Sequence, residues 1–220
     1  MIKIKHGLQA FVIAAAFALP AKAEVTVTFS DYLNKKMGQI DRIEKSRESK
    51  FREASAEGPN PRVATGAAVL KTRFRDMNWG NAELIPDVDN YNVEALITAM
   101  MELGVKEAAP DFEGNINLHI KRINVNNFAA VSIASRNTPT RMQGTVSVYS
   151  REGDLIAEQK VMATVNRPNL SSLREFEGRG YAYAAAAKDT RVGPIAAEFT
   201  QKALERIFPT YDARGAVLVR

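Results

Sequence analysis

The chain has 220 residues, of which 45% are hydrophobic and 25% are charged. This composition is typical of a globular protein and excludes collagen-like, low-complexity and wholly disordered chains. The formal net charge is +5 and cysteine is absent. The lack of cysteine excludes disulfides, thiolate nucleophiles, iron–sulfur clusters and every zinc site that needs sulfur.

The first 23 residues have the three parts of an export signal. Lys3 and Lys5 precede an apolar run from Leu8 to Leu19, and Ala21-Lys22-Ala23 forms a small-x-small cleavage motif. The apolar run is shorter than the ~20 residues that a transmembrane helix requires. We therefore expect cleavage after Ala23 and a periplasmic chain without a transmembrane segment.

Removal of this signal changes the charge of the chain. Three lysines leave with it, so 27 basic and 25 acidic residues remain, a net charge of +2. So small a charge does not favour nucleic acid as a partner. His6 leaves as well, and His119 alone cannot form a multi-histidine site, so we expect neither a metal nor a cofactor.

We expect residues 24–220 to form one structural unit, with a short strand and a charged helix over 24–57 and an α+β domain over 62–220. Helical spacing runs from Asp31 to about Ala56, yet nine of the thirteen residues from Asp41 to Glu53 are charged. This density predicts a solvated or frayed helical arm, or alternatively an arm that docks on a partner.

A second strand is predicted after a linker at residues 57–61. Residues 68–75 alternate so that Lys71, Arg73 and Arg75 share one face, and Trp79 follows in a loop. One interpretation is a solvated strand face with Trp79 in the core. The other is a partner-binding stripe, which makes these four residues the candidate binding site.

The rest of the chain predicts one further helix, a run of strands and a C-terminal helix. Asn92 is a candidate N-cap and Gly104 a candidate end for the first of these helices. Apolar residues then alternate with polar ones over Ile116–Ile120, Met142–Val148 and Leu155–Val165, which predicts half-buried antiparallel strands with a hairpin turn at Gly153. Gly193-Pro194 is expected either to start the C-terminal helix or to kink it, and residues 216–219 are expected to add an edge strand. The fold class is therefore α+β, an antiparallel sheet with helices packed on one face, plus a charged N-terminal helix.

Three motifs that would indicate catalytic chemistry are missing from the sequence. It contains no Gly-x-Ser-x-Gly elbow, no Ser-x-x-Lys and no phosphate-binding loop. His119 falls on the polar face of its predicted strand and is interpreted as an ordinary surface histidine. Thr145 falls on the polar face of the next predicted strand. No pair of carboxylates is singled out, so no catalytic residue is assigned.

Part of the chain, about residues 114–208, resembles small exported α+β envelope proteins of the curli-secretion-like and transport-auxiliary kind. The residues that carry the resemblance are Asn115–Ile120, Gly144–Tyr149, Arg151–Leu155, a Gly/Ala stretch and the helix Pro194–Phe208. It implies that the C-terminal helix packs across the sheet. Ser150 or Arg151 replaces the aspartate that usually opens the turn, and the lipoprotein cysteine of many members is absent. Members share no catalytic residues, so the resemblance adds none.

These patterns predict an exported, non-enzymatic envelope accessory or assembly protein that binds an envelope protein or an anionic envelope component. The alternatives are a periplasmic hydrolase that uses carboxylates and a small-solute binding module. An enzyme is expected to have a cleft with convergent acids of shifted pKa, whereas an accessory protein is expected to have an exposed apolar or basic patch.

Overall fold

A computed structural model describes residues 23–56, 80–125, 140–165, 180–182, 184–186, 189–212 and 217–219. The helices are α1 (Asp31–Ala56), α2 (Gly80–Leu84), α3 (Val93–Ala108) and α4 (Gly193–Ile207), with a short 3-10 helix at Val88–Asn90. The strands are β1 (Glu24–Phe29), β2 (Asn115–Asn124), β3 (Thr140–Tyr149), β4 (Leu155–Val165), β5 (Gly180–Ala182), β6 (Ala184–Ala186), β7 (Asp189–Thr190) and β8 (Val217–Val219). The predicted α+β class is confirmed.

The main sheet has four strands in the order β1-β2-β3-β4. β2, β3 and β4 are antiparallel neighbours, as predicted, but β1 pairs parallel with β2. The prediction of an antiparallel sheet is wrong for this pair. The chain passes through α1, α2 and α3 between the two strands, and such a long crossover is what parallel neighbours require.

One face of this sheet forms the core. α3 packs on β1 and on α4, and α4 packs on β3 and β4. The buried side chains of this face are Val25, Val27, Phe29, Ile116, Leu118, Ile120, Met142, Val146, Val148, Val161 and Ala163. They are the apolar members of the alternating runs, so the predicted register is confirmed for them. Leu155 differs: it is exposed, next to an irregularity in the pairing at Val148 and Tyr149 that interrupts the alternation.

The polar face of the sheet is more covered than its sequence suggests. Thr145 lies on the face away from the helices, as predicted, yet it is buried. It belongs to the inner strand β3, where His119 of β2 and Lys160 of β4 flank it in the ladder. Side chains of the two neighbouring strands can shield a short residue in that position.

Several local signals have the predicted outcome. The Asn92 side chain accepts a hydrogen bond from the Ala95 N–H at 2.8 Å and caps α3, and Pro194 lies in the first turn of α4. Gly153 has φ of +92° in the hairpin turn, a conformation that favours glycine. The predicted C-terminal strand is β8, which pairs with β5.

The predicted end of α3 at Gly104 is wrong, because the helix continues to Ala108. A Cβ atom at Gly104 would overlap the Leu204 side chain of α4. The glycine therefore allows two helices to approach closely. The described helices include none that is long and apolar enough to cross a membrane. The predicted linker at 57–61 and the predicted strand at 68–75 lie outside the described residues.

Candidate functional site

Charged side chains form a buried cluster on the inner face of α1. In the first half of the helix the buried residues of this face are Leu33 and Met37, and in the second half they are Glu44 and Glu48. Residues at this spacing lie on the same side of a helix, so the two acids occupy positions that an apolar stripe would otherwise fill. The prediction that α1 is a solvated or frayed arm is therefore wrong.

Glu48 is the centre of this cluster. Its Oε2 forms an ion pair with Nη2 of Arg191, which lies two residues before the first residue of α4. Its Oε1 accepts a hydrogen bond from Arg52 Nε at 2.8 Å, and Asn81 Nδ2 of α2 donates to Oε2 at 3.1 Å. Three parts of the chain therefore converge on one carboxylate that is shielded from water.

Glu44 lies one turn earlier in α1 and reaches the same segment. Its Oε2 accepts a hydrogen bond from the Val192 N–H at 3.0 Å, and Arg47 Nη1 lies 3.4 Å from its Oε1. Burial raises the pKa of Glu44, while the Val192 N–H and the guanidinium groups of Arg191 and Arg47 act in the opposite direction. Desolvation is the larger effect, so the charged form of Glu44 is disfavoured by its position.

Arg191 has no solvent exposure. Burial lowers its pKa to about 10, partly offset by the charge of Glu44. Its guanidinium carbon lies 5.2 Å from the centre of the Phe51 ring, within range of a cation–π contact. Within the described part of the chain, Nε and Nη1 of Arg191 have no hydrogen-bond acceptor. Such donors are costly to bury, so the ion pair with Glu48 is the main compensation for this charge.

The cluster extends to the segment that precedes α3. Arg52 donates to the carbonyl oxygens of Ile85 at 2.8 Å and Pro86 at 2.6 Å. The Tyr91 hydroxyl lies 3.3 Å from Asn81 Nδ2, and burial raises the pKa of Tyr91 well above its usual value. Together these contacts join the second half of α1 to α2, to the 85–91 segment and to the start of α4.

The contacts of Glu44 and Glu48 indicate that this cluster stabilises the fold. A catalytic carboxylate has to reach substrate or a water molecule. Glu44 is 2% exposed and Glu48 is not exposed, and both oxygens of each already have a partner. Among the described residues no group of three or more histidine, aspartate or glutamate side chains is arranged to hold a metal ion.

The outer face of α1 is basic between the exposed acids Asp31 and Glu53, which lie near its two ends. Every exposed charged residue between positions 32 and 50 is basic. These residues are Lys35, Lys36, Arg42 and Lys50, and we call them, together with the exposed Tyr32 and Ile43, the α1 basic stripe. Tyr32 is 65% exposed and Lys36 Nζ lies 4.2 Å above its ring. At 1.5 Å per residue the stripe is about 27 Å long.

A shallow recess lies between α1 and α3. It has a volume of about 550 Å³ and is lined by Asp41, Asn92, Glu94, Ala95, Thr98, Ala99 and Glu102. Asp41 Oδ1 accepts a hydrogen bond from the Val93 N–H at 2.9 Å, which stabilises the start of α3. At least one of the three carboxylates in the recess therefore has a structural role.

The structure places the residues singled out from sequence as follows. Lys71, Arg73, Arg75 and Trp79 lie outside the described residues. His119 is half-buried on the polar face of β2, where Nδ1 and Thr28 Oγ1 are 3.0 Å apart. The described structure therefore gives His119 a hydrogen-bond partner on the neighbouring strand.

Sequence reasoning missed the buried cluster. A signal was present, because Glu44 and Glu48 are four residues apart and extend the face of Leu33 and Met37. A second signal, the sorting of bases to the opposite face, marks the α1 basic stripe. Charge density alone hides both, since it treats all nine charges as equivalent.

Comparison of the chain with models of known protein families, with curated proteins and with solved structures found no match.

Proposed function

We propose that this chain is an exported, non-enzymatic accessory protein that binds an anionic component of the cell envelope through the α1 basic stripe. The observation that carries the proposal is the sorting of charge on α1. Two of its acids, Glu44 and Glu48, are buried, and its exposed acids Asp31 and Glu53 lie at the ends of the helix, whereas the exposed charges between them are basic. Between residues 32 and 50 the helix therefore presents positive charge outward although its composition is mixed.

The stripe has the features of a docking surface for an anionic partner. Its basic residues repeat at about seven-residue intervals, which keeps them on one side of the helix. Tyr32 and Ile43 add exposed apolar area, and exposed aromatic and apolar side chains are frequent anchors at interfaces. The buried cluster holds the second half of α1 in place, so the stripe is presented on a fixed support.

Export is part of the proposal and is supported by the position of β1. This strand begins at Glu24, the first residue after the predicted cleavage site. Cleavage after Ala23 would leave all six residues of β1 paired with β2. The test is the intact mass of the protein recovered from the envelope fraction, which should correspond to a chain beginning at Glu24. A mass that includes residues 1–23 would contradict export with cleavage.

Binding is tested with a triple variant of the stripe. Lys35→Gln, Arg42→Gln and Lys50→Gln together remove three charges and retain helix-forming residues. The matched control, Lys106→Gln with Lys121→Gln and Arg206→Gln, removes three charges from exposed positions elsewhere. Recovery of the main partner from envelope extracts should decrease for the stripe variant and not for the control.

Salt provides a second readout of the same contact. Because exposed charges are screened, recovery by the unmodified chain should decrease as ionic strength increases. Equal recovery by the two triple variants, or recovery that does not respond to salt, would overturn the proposal.

A further inference from the structure

The outer face of β4 has a self-complementary sequence. Within the part of the chain that the structure describes, β4 has a hydrogen-bonded neighbour on one side only, β3. Four alternate residues, Ile156, Glu158, Lys160 and Met162, are all exposed, with Ile156 61% and Met162 52% exposed. Along the strand their order is apolar, acidic, basic, apolar. When this order is reversed, the apolar residues keep their positions and the acidic and basic residues exchange places.

We propose that β4 is the dimerisation edge of this protein, with a second copy of the chain adding its own β4 antiparallel around a two-fold axis at Gln159. In this register Glu158 faces Lys160 of the other copy, and Lys160 faces its Glu158. The same two-fold places Ile156 opposite Met162 of the other copy. The two four-stranded sheets would then form one continuous sheet.

The backbone geometry is compatible with this register. In an antiparallel ladder every second residue of an edge strand directs its N–H and C=O away from its existing neighbour. Pairing around Gln159 matches odd-numbered residues with odd-numbered ones and even with even. The outward-directed groups of one copy therefore meet the outward-directed groups of the other.

The charges also argue for a second copy of the same chain. A lysine on an exposed edge often prevents strand pairing. Here Glu158 lies two residues before Lys160, at the position that neutralises this lysine when an identical strand pairs antiparallel. Opposite charges across a ladder stabilise the pair, whereas like charges destabilise it. If the second strand were shifted by two residues, Glu158 would no longer lie opposite Lys160 of the other copy.

The size of the contact sets its expected strength. A contact made by one strand from each copy is small beside a standard interface of about 1,600 Å². We therefore expect a reversible, concentration-dependent monomer–dimer equilibrium. This inference does not depend on the α1 basic stripe, which lies on a different element.

Charge reversal tests the register by sedimentation velocity over a range of concentrations. Glu158→Lys and Lys160→Glu, each alone, place like charges opposite one another and should reduce dimerisation. The double swap restores complementarity and should restore the dimer. A mixture of the two single variants should form a heterodimer, because one strand then carries two lysines and the other two glutamates. Both positions are exposed, and thermal unfolding of each variant checks that it folds.

A cysteine placed on the axis tests the geometry directly, because the chain has no cysteine of its own. Opposite residues of an antiparallel pair have Cα atoms about 4.5–5.5 Å apart, within the range of a disulfide. Gln159→Cys should therefore form a disulfide-linked dimer under mild oxidation. The control Thr164→Cys should not, because the two copies of residue 164 would be about 34 Å apart along the strands.

Three results would overturn the proposal. The first is a protein that stays monomeric at every concentration. The second is a dimer that neither charge reversal weakens. The third is a Gln159→Cys variant that forms disulfides no faster than Thr164→Cys.

Discussion

Arg191 and Glu48 form an ion pair in which neither side chain is accessible to water. The two residues belong to distant parts of the sequence, the end of the β6-β7 hairpin and the middle of α1. Their pairing joins the N-terminal helix to the segment that precedes the C-terminal helix.

The partners of this pair should respond unequally to substitution. Glu48→Met leaves Arg191 charged and buried without its ion-pair partner, and we expect a loss of about 3–5 kcal/mol in the free energy of unfolding. Arg191→Met should cost less, because Glu48 keeps Arg52 and Asn81 as hydrogen-bond donors. Chemical denaturation of both variants measures the difference.

The double variant provides the control for this prediction. Glu48→Met with Arg191→Met removes both charges and the unpaired donors of Arg191, so it should be more stable than Glu48→Met alone. Additive losses would indicate that the two residues do not depend on each other.

The raised pKa of Glu44 predicts a specific pH dependence. A carboxyl group whose pKa is higher in the folded state binds more protons there than in the unfolded state. Its contribution therefore favours folding at low pH, and this contribution is lost as the pH rises from about 4.5, the ordinary value, through the raised pKa. Glu44→Gln removes this group while retaining an acceptor for the Val192 N–H.

The difference in unfolding free energy between Glu44→Gln and the unmodified chain isolates this effect, because all other groups titrate in both proteins. The variant should gain relative stability as the pH is raised from 4 towards neutrality, measured by urea denaturation at each pH. A difference that does not change with pH, or one that changes in the opposite direction, would show that the pKa of Glu44 is not raised.

Two helical glycines should respond in opposite ways to alanine. Gly104→Ala places a methyl group against Leu204 and should destabilise the protein by about 1–3 kcal/mol. Gly38→Ala on α1 meets no atom within 4 Å and should stabilise by about 0.5–1 kcal/mol, because alanine is the better helix former. Thermal unfolding distinguishes the two. If Gly104→Ala proved stabilising, the close approach of α3 and α4 would be disproved.

Adjacent residues of β4 test which face of the sheet is buried. Val161→Asp places an uncompensated carboxylate in the core and should cost about 3 kcal/mol or more, or prevent folding. Met162→Asp changes a side chain that is exposed in the single chain, so at concentrations where the chain is monomeric it should shift the melting temperature only slightly. Thr145 is unsuitable as the control because it is itself buried. Similar losses for Val161→Asp and Met162→Asp would disprove the register.

The sequence by itself determined the features that depend on near neighbours. The alternation around Val146 and Val161 identified two strands and their buried faces, and Asn92 and Pro194 marked the starts of two helices. These signals are local, because a cap or a strand face involves residues only a few positions apart.

Only the tertiary structure decided what each face contacts. The burial of Glu44 and Glu48 required Arg191 and the Val192 N–H, which come from far along the chain. Gly104 became a helix contact because Leu204 lies against it, and β1 became parallel to β2 because three helices intervene. The periodicity of a sequence shows which residues share a face of a helix or strand. What that face packs against depends on residues far away in the sequence, so a pattern within one element does not reveal it.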